Sequence, residues 1–242
     1  GVDVLDEDFA AEFGNPDLKP YRAWNLDASA EWYFSGNGAL TAGFFWKSIK
    51  DYTAEIRDFT DGTYNGVAYS EARYFVNGDT AKVKGVELSY SQVFSFLPAP
   101  FDGLLTNLNY TYTDATGRIT SYDDDDNAYS RKIALPNASK HTFNAVLGYE
   151  KGPLSLRAAG TYRSKYLDEL GDGPDSDRFV DNHFQLDLSA KYKLLPGVRL
   201  FADWVNVNNA KYYAYQNYGG ARRLLQYEEY NWTVKFGVSA SF

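Results

Sequence analysis

Apolar and polar side chains alternate with a period of two along most of this chain, the spacing of strands whose two faces meet different surroundings. The clearest case closes the sequence. Trp232, Val234, Phe236, Val238, Ala240 and Phe242 share one face, and Thr233, Lys235, Gly237, Ser239 and Ser241 share the other. The alternation predicts nine strands, over about residues 22–34, 40–50, 82–94, 104–113, 141–150, 154–163, 184–192, 199–213 and 224–242. In the first, Trp24, Leu26, Ala28, Ala30, Trp32 and Phe34 oppose Asn25, Asp27, Ser29, Glu31 and Tyr33. In the seventh, Phe184, Leu186, Leu188, Ala190 and Tyr192 oppose Gln185, Asp187, Ser189 and Lys191. The faces of the eighth divide less cleanly. Gly36-Asn37-Gly38 predicts a tight hairpin, because Gly and Asn tolerate positive φ.

Composition narrows what those faces meet. Hydrophobic residues make up 44% of the 242, yet mean hydropathy is −0.47. No apolar run approaches the roughly 18–20 residues of a membrane helix. A membrane protein built of strands remains open, since half of its wall faces a polar lumen. Aromatic content is 17%, with 21 Tyr. Tyr90, Tyr112, Tyr149, Tyr162 and Tyr192 end apolar faces, where an apolar ring with a polar tip suits a membrane–water boundary. Without Cys there are no disulfides and no thiolate metal sites. A net charge of −8 argues against nucleic acid as a partner.

A soluble sandwich also alternates, and the connections separate the two readings. Short turns at 36–38, 151–153 and 195–197 alternate with long links at 51–81, 115–140 and 165–182. Outer-membrane barrels have short periplasmic turns and long extracellular loops. The expected fold is therefore all-β, an antiparallel transmembrane β-barrel of the bacterial outer membrane, with its C-terminus periplasmic and its long loops extracellular. The link at 94–103 is long for a periplasmic turn, though its two prolines and Gly103 suit one. The link at 217–221 is short for an outer loop unless its strands project beyond the bilayer. The same parity places residues 1–21 in an extracellular loop and 22–242 in the wall. Single-chain bacterial barrels have an even strand number, and nine strands cannot close one. The expectation is the C-terminal part of a larger barrel, starting within an exposed loop, where chains are nicked.

Gly14-Asn15-Pro16-Asp17-Leu18-Lys19-Pro20-Tyr21 resembles the GNPxLKPE segment that opens a late strand of TonB-dependent outer-membrane receptors, with Tyr21 in place of the usual Glu. Val83-Lys84-Gly85-Val86-Glu87-Leu88 is similar to that family's "kGvEl" strand, and Val205-Asn206-Val207-Asn208-Asn209 to its "NlfN" segment. Trp232, Val234, Phe236, Val238, Ala240 and the terminal Phe242 resemble its assembly signal. The resemblance implies about nine C-terminal strands of a 22-strand barrel, whose plug domain, TonB box and early strands are absent from this sequence. It implies a receptor that binds a scarce nutrient outside the cell and imports it with energy from TonB, ExbB and ExbD. It also implies the barrel-assembly machinery, outer-membrane lipid and lipopolysaccharide as partners. The stretch Ser139 to Tyr166 looks like alphaproteobacterial receptors, several of them linked to oligosaccharides. The implied cargo is an oligosaccharide, otherwise a siderophore or other metal chelate. The alternative is a small passive pore or structural barrel complete in itself.

Candidate chemistry is sparse. No G-x-S-x-G, H-E-x-x-H, P-loop or dinucleotide fingerprint is present, and no enzyme is expected. His141 and His183 stand alone at strand starts. Asp123 to Asp126 and the alternating Asp172, Asp175 and Asp177 invite Ca²⁺, which takes six to eight oxygens. Four successive acids cannot all face one ion, however, and EF-hand spacing is absent, so no cofactor is expected beyond such loop calcium. Loop aromatics are the better ligand contacts: Tyr64, Tyr69, Tyr74, Tyr122, Tyr129, Tyr215 and Tyr218. Their rings stack on sugars and aromatic chelators alike, and they also suit strand extensions above a bilayer. Arg222 and Arg223 suit an anionic ligand, lipopolysaccharide phosphate or a loop salt bridge.

Overall fold

The computed structural model describes residues 2–5, 10–34, 37–58, 61–122 and 128–241. Its strands run in chain order as β1 (Val2–Leu5), β2 (Ala10–Phe13), β3 (Arg22–Phe34), β4 (Gly38–Lys50), β5 (Thr53–Asp58), β6 (Gly62–Tyr64) and β7 (Val67–Tyr69). There follow β8 (Glu71–Asn77), β9 (Thr80–Val93), β10 (Leu104–Tyr122), β11 (Ala128–Ala134), β12 (His141–Lys151), β13 (Leu154–Arg163) and β14 (Tyr166–Gly171). The last are β15 (Arg178–Val180), β16 (His183–Leu195), β17 (Val198–Val205), β18 (Lys211–Tyr218), β19 (Ala221–Glu229) and β20 (Thr233–Ala240). Among the described residues no helix is long and apolar enough to cross a membrane.

Nine of these strands form one antiparallel wall in the order β3-β4-β9-β10-β12-β13-β16-β17-β20, with β11 added beside β10. Each wall strand corresponds to one of the nine that the alternation predicts. Register carries the two faces across the sheet, because directly paired residues share a face. Leu147, Ala158, Leu188, Trp204 and Val234 form one apolar row. Glu31, Thr41, Ser89, Asn109, Asn144, Thr161 and Gln185 form a polar row on the other face. The apolar face is bare: Leu147 is 57% exposed and Phe236 82%. This excludes the sandwich, which would cover that face with a second sheet. It suits hydrocarbon instead.

Beyond the long-link end the polarity of the wall inverts. In β10, Leu108, Tyr110 and Tyr112 lie on the apolar face, and further along Arg118 and Thr120 on that face are exposed to solvent. On the opposite face Asn107, Asn109 and Thr111 give way to Ala115 and Ile119, both buried. A second sheet, in the order β1-β2-β8-β5-β14-β15-β18-β19, accompanies these extensions. Tyr52, Ala54, Ile56, Ala81, Ile119, Ile133, Leu167 and Leu170 form the buried core there, with Ile49, Tyr74, Val76, Leu135 and Phe179 packed against it. The chain thus has a water-type core at one end and a bare apolar belt below it.

The long links therefore hold strands where the sequence reading has loops, and residues 2–5 and 10–13 of the expected loop segment are two of them. The eighth and ninth predicted strands are each broken in two, at 206–210 and 230–232. Asn206, Asn209 and Asn231 take φ of 57°, 50° and 58°, left-handed values that Asn adopts more readily than other side chains and that end strand geometry. The Asn206 amide donates to the carbonyls of Ala210 (3.2 Å) and Asn231 (3.0 Å), and its Oδ1 accepts from the Ala210 N–H (2.7 Å). Both breaks are fastened at one joint, and the projecting β18–β19 hairpin explains the short link at 217–221.

The family-like motifs have local reasons. The Asn15 amide donates to the Phe75 carbonyl at 2.9 Å, and the Lys19 N–H donates to Asn77 Oδ1 at 2.7 Å, pinning the turn before β3 to β8. A Cβ on Gly85 would lie 2.0 Å from the Tyr112 carbonyl oxygen and 2.5 Å from the Phe45 ring. Gly36 of the expected hairpin lies outside the described residues, and the Phe34–Gly38 pair closes that turn.

Two outcomes follow. Gly85→Ala is expected to cost about 1–3 kcal/mol as an overpacking change, read as a lower urea midpoint for unfolding in lipid vesicles. Leu147→Arg is expected to cost roughly 2–4 kcal/mol if it sits near the bilayer midplane, whereas Thr161→Arg on the polar face changes the same midpoint little.

Candidate functional site

The second sheet presents its charged face away from the core. On β5, Ala54 and Ile56 point inward and Glu55 and Arg57 take the other face. Arg57 pairs directly with Arg73 across β5 and β8. Like charges placed so repel, and interleaved acids relieve it. Glu71 lies 2.5 Å from Arg73 and 2.9 Å from Arg57, and Glu169 lies 2.5 Å from Arg57. Arg178 on β15 pairs with Asp168 at 3.0 Å and donates to the Tyr212 hydroxyl at 3.2 Å and to Gln226. These partly exposed pairs are worth about 1 kcal/mol each. Their effect is to hold the guanidinium groups in place.

Arg57, Glu169, Arg178, Ser176, Gln216 and Tyr218 line a groove of about 450 Å³, with Leu170 and Leu225 as its apolar lining. Ser176 belongs to the segment 171–177. At its end Arg131 and Asp177 meet at 2.9 Å, both more than nine-tenths buried. Asp177 Oδ1 also accepts the Gly171 N–H at 3.1 Å. Burial pushes the Asp177 carboxyl above its ordinary value, against the opposing pull of Arg131. Nε and Nη1 of Arg131 have no partner among the described residues.

The expected ligand aromatics are scattered rather than gathered. Tyr64 and Tyr69 stand edge-on to Phe13, at 6.0 and 5.6 Å between ring centroids. Tyr74 packs against the core. Tyr129 is exposed on β11, and Tyr218, 63% exposed, enters the groove. Tyr215 is only 2% exposed. It stacks on Phe179 at 5.7 Å and lies under the Arg222 guanidinium at 4.4 Å. Arg222 also pairs with Asp181 at 3.2 Å. Arg223 is exposed opposite Gln216. The side chain of Tyr122, the run Asp123 to Asp126 and Phe242 lie outside the described residues.

The candidate calcium acids have separate partners. Asp172 accepts from the Gly173 N–H at 2.7 Å, Asp175 from the Gly219 N–H at 3.4 Å, and Asp177 is held by Arg131. Among the described residues no three His, Cys, Asp or Glu side chains gather as metal ligands do. Trp232, Val234, Phe236 and Val238, of the segment that resembles the assembly signal, are all exposed, at the edge of the wall. Arg57, Glu169 and Arg178 escaped the sequence reading because their segments read as loops. The period of two in Ala54-Glu55-Ile56-Arg57 was the available signal.

An exposed apolar belt, a lumen-type polar face and a water-type core above one end define a β-barrel wall of the outer-membrane kind. The family model described as "TonB dependent receptor-like, beta-barrel" matches residues 4–237. The chain belongs to that family. A search against curated proteins finds no match. Among solved structures the chain is similar to the FrpB iron transporter of Neisseria meningitidis (20% identity, 96% of this chain and 33% of that one, TM-score 0.58). It is similar to the ferric-catecholate import receptor Fiu of E. coli K12 (16% identity, 94% and 29% coverage, TM-score 0.61). A variant of the ferric enterobactin receptor PfeA of Pseudomonas aeruginosa, in complex with enterobactin, matches at 18% identity, 96% and 33% coverage and TM-score 0.56. The chain spans about a third of the length of these structures.

Replacing Arg131 by Met strands the Asp177 carboxylate without its cation, a change that costs about 3–5 kcal/mol in buried pairs. Proteolytic nicking across 171–177 is expected at lower urea in the variant. In the unaltered protein the Asp177 carboxyl, followed by carbon NMR, is expected to titrate above the ordinary aspartate range, and higher still in Arg131→Met. Because folding favours its protonated form, its contribution to stability is largest below the ordinary value and is lost as pH rises through the raised one.

Proposed function

We propose that this chain is the C-terminal wall of an outer-membrane receptor that binds a scarce nutrient at the cell surface and imports it to the periplasm with energy relayed by TonB, ExbB and ExbD. The observation that carries the reading is the change of solvent along single strands: hydrocarbon-type faces below, a covered aqueous core and a lined groove above. In this reading the long-link end is extracellular, the short-turn end and C-terminus are periplasmic, and further strands and a plug from the same polypeptide complete the barrel. The barrel-assembly machinery would insert it, and lipopolysaccharide would surround its outer rim.

The groove's chemistry favours an uncharged, hydroxyl-rich cargo such as an oligosaccharide. Its charges already have internal partners, Ser176 and Gln216 are hydrogen-bonded within the protein, and the exposed Tyr218 ring remains to stack on a ligand. A second reading, a ferric chelate of the siderophore type, is supported by the cargoes named for the similar Fiu and PfeA structures.

Uptake by intact cells tests the proposal. Radiolabelled oligosaccharide pools and ferric siderophores are offered to cells with and without the receptor. Receptor-dependent uptake is expected to vanish in cells lacking TonB; uptake that persists there points to a passive pore. Tyr218→Ala is expected to weaken binding of the imported cargo at least tenfold while leaving the amount of receptor in the outer membrane unchanged.

A further inference from the structure

The short-turn end of the wall carries a second groove, of about 460 Å³, where the ends of β12, β13, β16 and β17 meet. Lys151, Lys191, Lys193 and Arg199 line it, with Glu150 as the single acid. Lys193 and Arg199 are directly paired across β16 and β17. Lys191 stands two residues along on the same, polar face. The floor is fixed, because the Lys193 N–H donates to the Pro153 carbonyl at 2.8 Å and so ties the end of β16 to the turn between β12 and β13.

Charge here runs against the rest of the chain, whose net charge is −8. Lys151 is satisfied by Asp102 at 2.5 Å. Lys191, Lys193 and Arg199 form no ion pair among the described residues. With Glu150 and Asp102 counted, two positive charges remain in excess. Like charges directly opposite on paired strands repel, and the acids that neutralise the Arg57–Arg73 pair have no counterpart beside Lys193 and Arg199.

We propose that this groove binds a phosphate-rich anion. Arg199 offers a planar fork that grips two phosphate oxygens, and the lysines add compact point charges. Residues two apart on a strand are separated by about 7 Å, and neighbouring strands by about 5 Å. An anion with two linked phosphates therefore reaches all three unpaired cations at once. The cations lie on the polar face, away from the apolar belt, so a dissolved anion is the assigned ligand; a phospholipid headgroup is the other source of the same chemistry. The assignment is independent of which nutrient the receptor carries.

The complete receptor, purified in detergent at low ionic strength, is titrated calorimetrically with inorganic pyrophosphate. Binding is expected, and the double substitution Lys193→Gln with Arg199→Gln is expected to weaken it at least tenfold. Lys84→Gln, on the opposite face of the wall, is expected to leave it within twofold. The heat-modifiable gel mobility of folded barrels checks that each variant is intact. Native mass spectrometry supplies the lipid arm. Phosphatidylglycerol retained by the receptor and lost from the double variant, without pyrophosphate binding, keeps the phosphate site and transfers it to a headgroup. The site is overturned if neither ligand binds, or if both bind the double variant as well as they bind the unaltered protein.

Discussion

Inside hydrocarbon no water is available to backbone N–H and C=O groups, so each must find its partner in a neighbouring strand. Everything in the wall follows from that requirement. Nine strands pair in simple succession, and their side chains are left to sort themselves by face. One face becomes a belt of Leu, Val, Phe and Trp with none of the described residues packed over it. The other collects Asn, Thr, Ser and charged groups. Stability of such a wall does not come from burying side chains against one another, which is why its largest apolar residues are among the most exposed in the molecule.

Where the strands leave that environment the rule reverses. Water can now satisfy an outward polar side chain, and the inward face must shed water to hold a second sheet. Ile119, Ile133 and Ala81 occupy the same side of the wall that Asn109, Ser89 and Thr111 occupy lower down. The second sheet is not a meander. It includes parallel pairings of β2 with β8 and of β5 with β14, and it depends on contacts between segments distant in sequence. The buried Arg131–Asp177 pair is one such contact, joining the β10–β11 hairpin to the segment 171–177.

This contrast accounts for what could be read from the residues alone. The wall strands were legible because two unlike environments write a period of two over eight or more residues. The approximate bounds expected for the first and sixth strands coincide with Arg22–Phe34 and Leu154–Arg163. The second sheet was not legible, since strands as short as Arg178–Val180 carry too few alternations and their partners lie far away in the chain. The break at Asn206 was visible only as an untidy face. Its cause, three asparagines in left-handed geometry, is a backbone property that hydropathy does not report. For Tyr215 the sequence shows that a ring is in a link, not that Phe179 and Arg222 close over it. Arg57 and Arg178 went unnoticed for the same reason in reverse.

The asparagine joint has an evolutionary corollary. It lets the β18–β19 hairpin change length, twist or sequence without shifting the register of β17 against β20, because the hydrogen bonds of Asn206 end one element and begin the next at a fixed point. Sequence change can then accumulate in the hairpin while the staves with the exposed apolar face stay under a separate and more conservative pressure.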